Sequence, residues 1–175
     1  MTAIGEMLFD ERTIEQKIAE LGARISNDYA GKELVLVCVL KGAALFTADL
    51  LRSITIPVTT EYLQAASYGS GTMSSCDIVI QKDIEGDIRG KHVLLADTII
   101  DSGRTMACLF NKFSEQEPAS LNAVVLLDKS SKRTVAVPIA YKGFEIADQF
   151  VVGYGMDCGE KYRNLPYIAM LTPSR

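Results

Sequence analysis

The chain contains a single histidine, His92, and that scarcity removes every site built on two imidazoles, with most Ser-His-Asp and zinc-protease arrangements. His92 directly precedes an apolar run that reads as a buried strand, so an ordinary structural role is expected for it. The four cysteines, Cys38, Cys76, Cys108 and Cys158, are widely spread and form no C-x-x-C pair. Neither a shared metal nor a redox couple is expected from them, and reduced thiols in a cytoplasmic protein are the default. No segment approaches about 18 uncharged apolar residues in a row, and Met1 to Asp10 lacks a basic start followed by an apolar stretch. Export and membrane spanning are therefore not expected. Positive charge is also short: the formal net charge is -4, the wrong sign for a surface that neutralises nucleic-acid phosphates.

What is present is enough apolar material for one substantial core. With 175 residues and 48% hydrophobic content, the chain is expected to form a single domain over residues 1–175. Thr13 to Tyr29 carries Ile14, Ile18, Leu21 and Ile25 at spacings of three and four, the pattern of an amphipathic helix stopped by Gly31. Leu34 to Leu40 (LVLVCVL) is continuously apolar, as a strand covered on both faces must be, and the pattern recurs at Val93 to Ala96 and Ala123 to Leu127. Helical patterns at Ala43 to Arg52 and Thr105 to Gln116 lie between these runs. Alternation of this kind predicts an α/β fold, a doubly wound and mainly parallel sheet flanked by helices. Such sheets bind ligands at the carboxyl ends of their strands, here Lys41-Gly42, Asp97 to Thr105 and Asp128-Lys129. Ser67 to Ser75 reads as a long loop between strands, and Phe150 to Leu171 as short strands beside the sheet.

The chemistry concentrates in VLLADTIIDSGRT, Val93 to Thr105. Main-chain N–H groups of Asp101, Ser102, Gly103, Arg104 and Thr105 would converge at a helix start, where unpaired donors and the helix dipole favour a phosphate. Gly103 permits close backbone approach, and Ser102 and Thr105 offer hydroxyls; a plain strand, turn and capped helix would satisfy the same residues. No Walker loop and no G-x-G-x-x-G fingerprint is present.

As a whole, this arrangement resembles the phosphoribosyl pyrophosphate motif of type I phosphoribosyltransferases. The likeness extends over nearly the whole chain and matches the hypoxanthine-guanine phosphoribosyltransferases, through VLKGAALFTADL (Val39 to Leu50), SYGSGT (Ser67 to Thr72), LLDKSSKR (Leu126 to Arg133) and FEIADQFVVGYGMDCGEKYRNLPYI (Phe144 to Ile168). It implies the family fold, with a small hood built from the chain ends, and a 6-oxopurine and phosphoribosyl pyrophosphate as substrates. By the same resemblance Lys41 and Gly42 meet pyrophosphate, the peptide before Lys41 is cis, and Arg163 is a second pyrophosphate contact. Asp97 and Thr98 would serve ribose hydroxyls and metal, and Asp101, near the purine N7, would accept or relay a proton. Lys129 would donate to the purine 6-oxygen, Phe150 would stack on the base, and the main chain of Val151 and Asp157 would accept its N–H groups. Ser67 and Tyr68 would form a lid. Magnesium is the implied cofactor, with Asp97 and Asp157 as its ligands, and a homodimer or homotetramer is the implied assembly.

The chain departs from the family at one place, since the usual Glu-Asp pair is here Asp97-Thr98. The resemblance assigns to Thr98 a hydrogen bond with the ribose in place of a carboxylate. A second reading of a different class is a non-catalytic, nucleotide-sensing RNA-binding regulator on the same fold; the altered acidic pair favours it and the acidic net charge opposes it. A phospho-accepting receiver domain is a third, weakened by the lack of an early acidic pair for magnesium.

Overall fold

The computed structural model describes residues 2–67 and 78–173. Its first helix, α1 (Glu11–Asp28), begins where Asp10 accepts a 2.8 Å hydrogen bond from the Thr13 amide, and the predicted stripe of Ile14, Ile18, Leu21 and Ile25 is buried. β2 (Leu34–Leu40) follows, then α2 (Ala44–Ser53), β3 (Val58–Ser67), β4 (Ile78–Lys82), β5 (His92–Ile100), α3 (Arg104–Ser114), β6 (Ser120–Asp128) and β7 (Ile139–Glu145). These strands make a six-stranded sheet in the order β4-β3-β2-β5-β6-β7, in which only β4 runs antiparallel to its neighbour.

Alternation along β2 explains why its whole length is apolar. Leu34 and Leu36 join a core with Phe46 and Leu50 of α2 and the α1 stripe, whereas Val35, Val37 and Val39 join a second core with Met106, Leu109 and Phe113 of α3. Side chains one residue apart point to opposite faces, and both faces are covered by helices. From β2 the chain crosses to β3 on one side and later to β5 on the other. The loops leaving β2 and β5 therefore diverge, and the crevice between them is where doubly wound sheets hold ligands.

The expected hood is a separate three-stranded sheet, β1-β9-β8, built from β1 (Thr2–Phe9), β8 (Val151–Val152) and β9 (Ile168–Pro173). β1 and β9 pair antiparallel, so the two chain ends close on each other. Phe9 stacks on Phe144 of the main sheet at a centroid distance of 4.1 Å. Most of the tail between β8 and β9 runs in turns and isolated bridges rather than in the short strands expected there.

Two further expectations are corrected. β5 continues past Ala96 to Ile100, because Ile99 and Ile100 keep pairing with Leu127 and Asp128 of β6; Asp97 and Thr98 thus sit on a strand, not in the loop after it. Cys38 and Cys158 are free thiols, but Cys108 is disulfide-bonded, since spacing along a chain does not say which thiols a fold brings together. His92 has the structural role expected: its Nδ1 lies 2.8 Å from Ser120 Oγ, and its ring meets Tyr29 edge-on. Among the described residues no helix is long and apolar enough to cross a membrane.

Candidate active site

β5 ends at Ile100, and a three-residue turn, Asp101-Ser102-Gly103, delivers the chain into α3 at Arg104. Gly103 is the helix N-cap at φ 85°, a left-handed conformation that other residues adopt only with strain. A Cβ there would stand 2.7 Å from the Val135 carbonyl oxygen, so the turn is braced closely from behind. The Ser102 carbonyl accepts the amides of Thr134 and Val135 at 3.0 and 3.1 Å. No side chain makes a full cap on α3; its first-turn amides, with the Ser102 and Thr105 hydroxyls, suit an anion.

Beside this turn a cavity of about 650 Å³ opens, and its walls include Gly42, Asp101, Lys129, Phe150, Val151, Asp157 and Arg163. Lys129 is the unusual member, because it is only 5% exposed and buried ammonium groups require partners. Its Nζ lies 3.1 Å from Asp101 Oδ1. Phe150, which also lines the cavity, is 55% exposed. The strand beneath Lys129 is held by Asp128, a buried carboxylate bridged by Arg133 and, at 3.0 Å, by Lys142.

From the loop after β2, Gly42 lines the cavity. The Leu40–Lys41 peptide is cis, and Lys41 Nζ pairs with Glu160 at 3.1 Å. Arg163 is fixed by donating from Nη1 to the Gly155 carbonyl at 2.7 Å and by pairing from Nη2 with Asp157 at 2.9 Å, while its buried Nε has no partner. An unpartnered buried guanidinium N–H beside a cavity is an opening for an oxyanion. Asp157 also accepts the Glu160 amide at 2.8 Å.

Asp97 lies deeper, partly buried on β5. Desolvation pushes its carboxyl up to about 7, opposed by the amides of Thr98 and Ile99 and reinforced by the charge of Asp101. Thr98 is fully buried, and its hydroxyl donates to the Gly42 carbonyl at 3.0 Å.

Of the residues singled out in the sequence, Gly42, Asp101, Lys129, Phe150, Val151, Asp157 and Arg163 meet in one cavity, and Ser102, Gly103, Arg104 and Thr105 follow Asp101 directly in the chain. Lys41, Asp97 and Thr98 are not among its wall residues. Ser67 ends β3, while Tyr68 and the remainder of the expected lid lie outside the described residues. Lys132, Asp148 and Gln149 also line the cavity but were not anticipated, although the basic run of LLDKSSKR was a signal for Lys132. Lys132 and Asp148 form a 2.7 Å ion pair across the rim. No group of three or more His, Cys, Asp and Glu side chains is placed to hold a metal among the described residues. A cation here would rest on one or two carboxylates and on oxygens of the substrate, the manner in which magnesium binds with phosphates.

A turn whose free amides suit an anion thus leaves the carboxyl end of a parallel strand beside a cavity lined by a buried ammonium and an exposed phenylalanine, the place where sheets of this kind bind ligands. The model of the phosphoribosyl transferase domain matches residues 5–158, and the chain belongs to that family. It is 46% identical over 166 residues to the hypoxanthine phosphoribosyltransferase of Haemophilus influenzae, covering 93% of each chain. It is 43% identical to the hypoxanthine-guanine phosphoribosyltransferase of Mycobacterium tuberculosis, covering 97% of this chain and 87% of that one. A crystal structure of a hypoxanthine-guanine phosphoribosyltransferase from Bacillus anthracis superposes with a TM-score of 0.91 at 41% identity, over 98% of this chain and 100% of that one.

Proposed function

We propose that the protein is a purine salvage enzyme that transfers the 5-phosphoribosyl group of phosphoribosyl pyrophosphate to hypoxanthine or guanine, giving IMP or GMP and pyrophosphate. The observation that carries this reading is the buried Lys129 ammonium, 3.1 Å from Asp101, in a cavity whose rim presents the exposed Phe150 ring. An ammonium donates and cannot accept, so it selects a purine with a 6-oxygen over one with a 6-amino group. Relatives named as hypoxanthine or hypoxanthine-guanine phosphoribosyltransferases at 43–46% identity support it. The RNA-binding alternative has no such support.

In this reading the amides and hydroxyls of Ser102 to Thr105 hold the 5-phosphate. Lys41, Gly42 and Arg163 hold the pyrophosphate, and the unpartnered Arg163 Nε supplies a donor for it. Phe150 stacks on the purine, and the main chain of Val151 and Asp157 accepts its N–H groups. As the anomeric C–O bond breaks and a C–N bond forms, the purine gives up a proton, which Asp101 accepts or relays. Asp97 serves the ribose side.

The carboxylates of Asp97 and Asp157 fit magnesium, which prefers few protein ligands and substrate phosphates. When bound, the cation offsets charge on the leaving pyrophosphate. Action in the cytoplasm as a homodimer or homotetramer completes the proposal. Its test is a steady-state assay of pyrophosphate release with magnesium, in which release must depend on added hypoxanthine or guanine. Release that is absent, or indifferent to the base, rejects it.

A further inference from the structure

Gly42 is the point where three distant parts of the chain meet. Its carbonyl oxygen accepts the Thr98 hydroxyl at 3.0 Å, a contact from the end region of β5 across to the loop after β2. On another side stands Gly155, at φ 92°, where a Cβ would fall 2.1 Å from that same oxygen. Gly155 in turn offers its own carbonyl to Arg163 Nη1 at 2.7 Å. Thr98 is 0% exposed, and its single hydroxyl proton is committed to Gly42.

From this junction we propose that Thr98 is a positioning residue for pyrophosphate binding rather than a ribose ligand. Its hydroxyl sets the Gly42 carbonyl, which orients the Lys41-Gly42 peptide toward the cavity and fixes how closely Gly155 and Arg163 approach. The two binding elements for the leaving group, one on each side of the junction, are thereby held at a set separation by one buried hydrogen bond. A carboxylate at position 98 would be acceptor-only when ionised, so it would face the Gly42 carbonyl with no proton to give. The site is thus adapted to threonine. The inference rests on the phosphoribosyl-transfer reading of the same cavity.

The experiment compares wild type with Thr98→Val, Thr98→Ser, Thr98→Asp and Gly155→Ala. It measures KM for phosphoribosyl pyrophosphate, KM for hypoxanthine, and calorimetric Kd for magnesium pyrophosphate. Thr98→Val should weaken phosphoribosyl pyrophosphate and pyrophosphate by about five- to tenfold, the size of one net hydrogen bond, and leave KM for hypoxanthine within about twofold. Thr98→Ser restores the hydroxyl and should bring both values back to within about twofold of wild type. Thr98→Asp should raise KM for phosphoribosyl pyrophosphate. Gly155→Ala presses on the same carbonyl without touching Thr98, and should show the same selectivity, which keeps the test decisive if a Thr98 variant misfolds. Unchanged pyrophosphate affinity in Thr98→Val, equal loss for both substrates, or a lower KM in Thr98→Asp overturns the inference while wild type remains active. An inactive wild type would instead reject the proposed function.

Discussion

Lys129 and Asp101 form an ion pair at 3.1 Å on the cavity wall, with the lysine side chain 6% exposed and the carboxylate 49% exposed. One partner is therefore buried and the other open to a ligand. The pair joins the ends of β6 and β5, so the residues proposed to read the base and to take its proton are set by neighbouring parallel strands.

Lys129→Gln keeps much of the length and removes the charge. It should lower kcat/KM for hypoxanthine and guanine by about 10²-fold, as losing a charge-assisted contact does, and change KM for phosphoribosyl pyrophosphate by less than about threefold. Steady-state kinetics with each substrate varied in turn check this. Equal losses for both substrates would remove Lys129 from base recognition.

Asp101→Asn should keep the fold, because the turn is built from backbone and braced through Ser102 and Gly103, at a lower Tm, because the buried Lys129 ammonium loses its carboxylate. Its turnover should fall by about 10²-fold or more, the typical contribution of a general acid or base. Wild-type kcat in the variant would take Asp101 out of the chemistry.

Asp97 makes the ligand-free protein less stable as pH rises. Burial pushes its folded-state carboxyl up to about 7, against 3.8 for an ordinary aspartate. The unfolded chain releases that proton first, so stability falls between these two pH values and the full penalty stands above pH 7. Asp97→Asn, studied by scanning calorimetry without divalent cations, should raise Tm clearly at pH 8 and less at pH 5. A gain that is larger at pH 5 than at pH 8 would reverse the assignment.

Tyr154 ties the hood to the helical layer, its hydroxyl donating to Asp49 of α2. Burial and the adjacent Asp49 carboxylate push its phenol well above the ordinary range, so the bond persists at any working pH. Tyr154→Phe should cost about 1 kcal/mol, roughly 2–4 °C in Tm. Thermal melts measure it, and an unchanged Tm would show that the hood is held by apolar contacts alone.

The alternating strands and helices were legible because LVLVCVL and its counterparts can only be covered on both faces, and the stripe from Ile14 to Ile25 has helical spacing. The strand, turn and helix start at residues 93–105 were legible because the residues that build them are consecutive. What the sequence hid depends on long-range register. β1 carries no obvious signal and becomes a strand only by pairing with β9 at the far end of the chain. Asp97 and Thr98 read as a strand's end because they are polar, yet pairing of the following residues with β6 keeps the strand going. The bond from Thr98 to Gly42 spans two strand ends, and the rim pair Lys132–Asp148 spans two loops. Neither can be inferred from spacing alone.

The central claim is that this cavity reads a purine 6-oxygen and joins that purine to ribose. The most direct measurement is nucleotide formation from phosphoribosyl pyrophosphate and magnesium, with hypoxanthine, guanine and adenine offered separately and products resolved by chromatography. IMP and GMP should form with one pyrophosphate each, and kcat/KM for adenine should be lower by about 10³-fold or more, because its 6-amino group leaves the Lys129 ammonium without an acceptor. Adenine used as well as hypoxanthine, or no nucleotide from either oxopurine, would contradict the account.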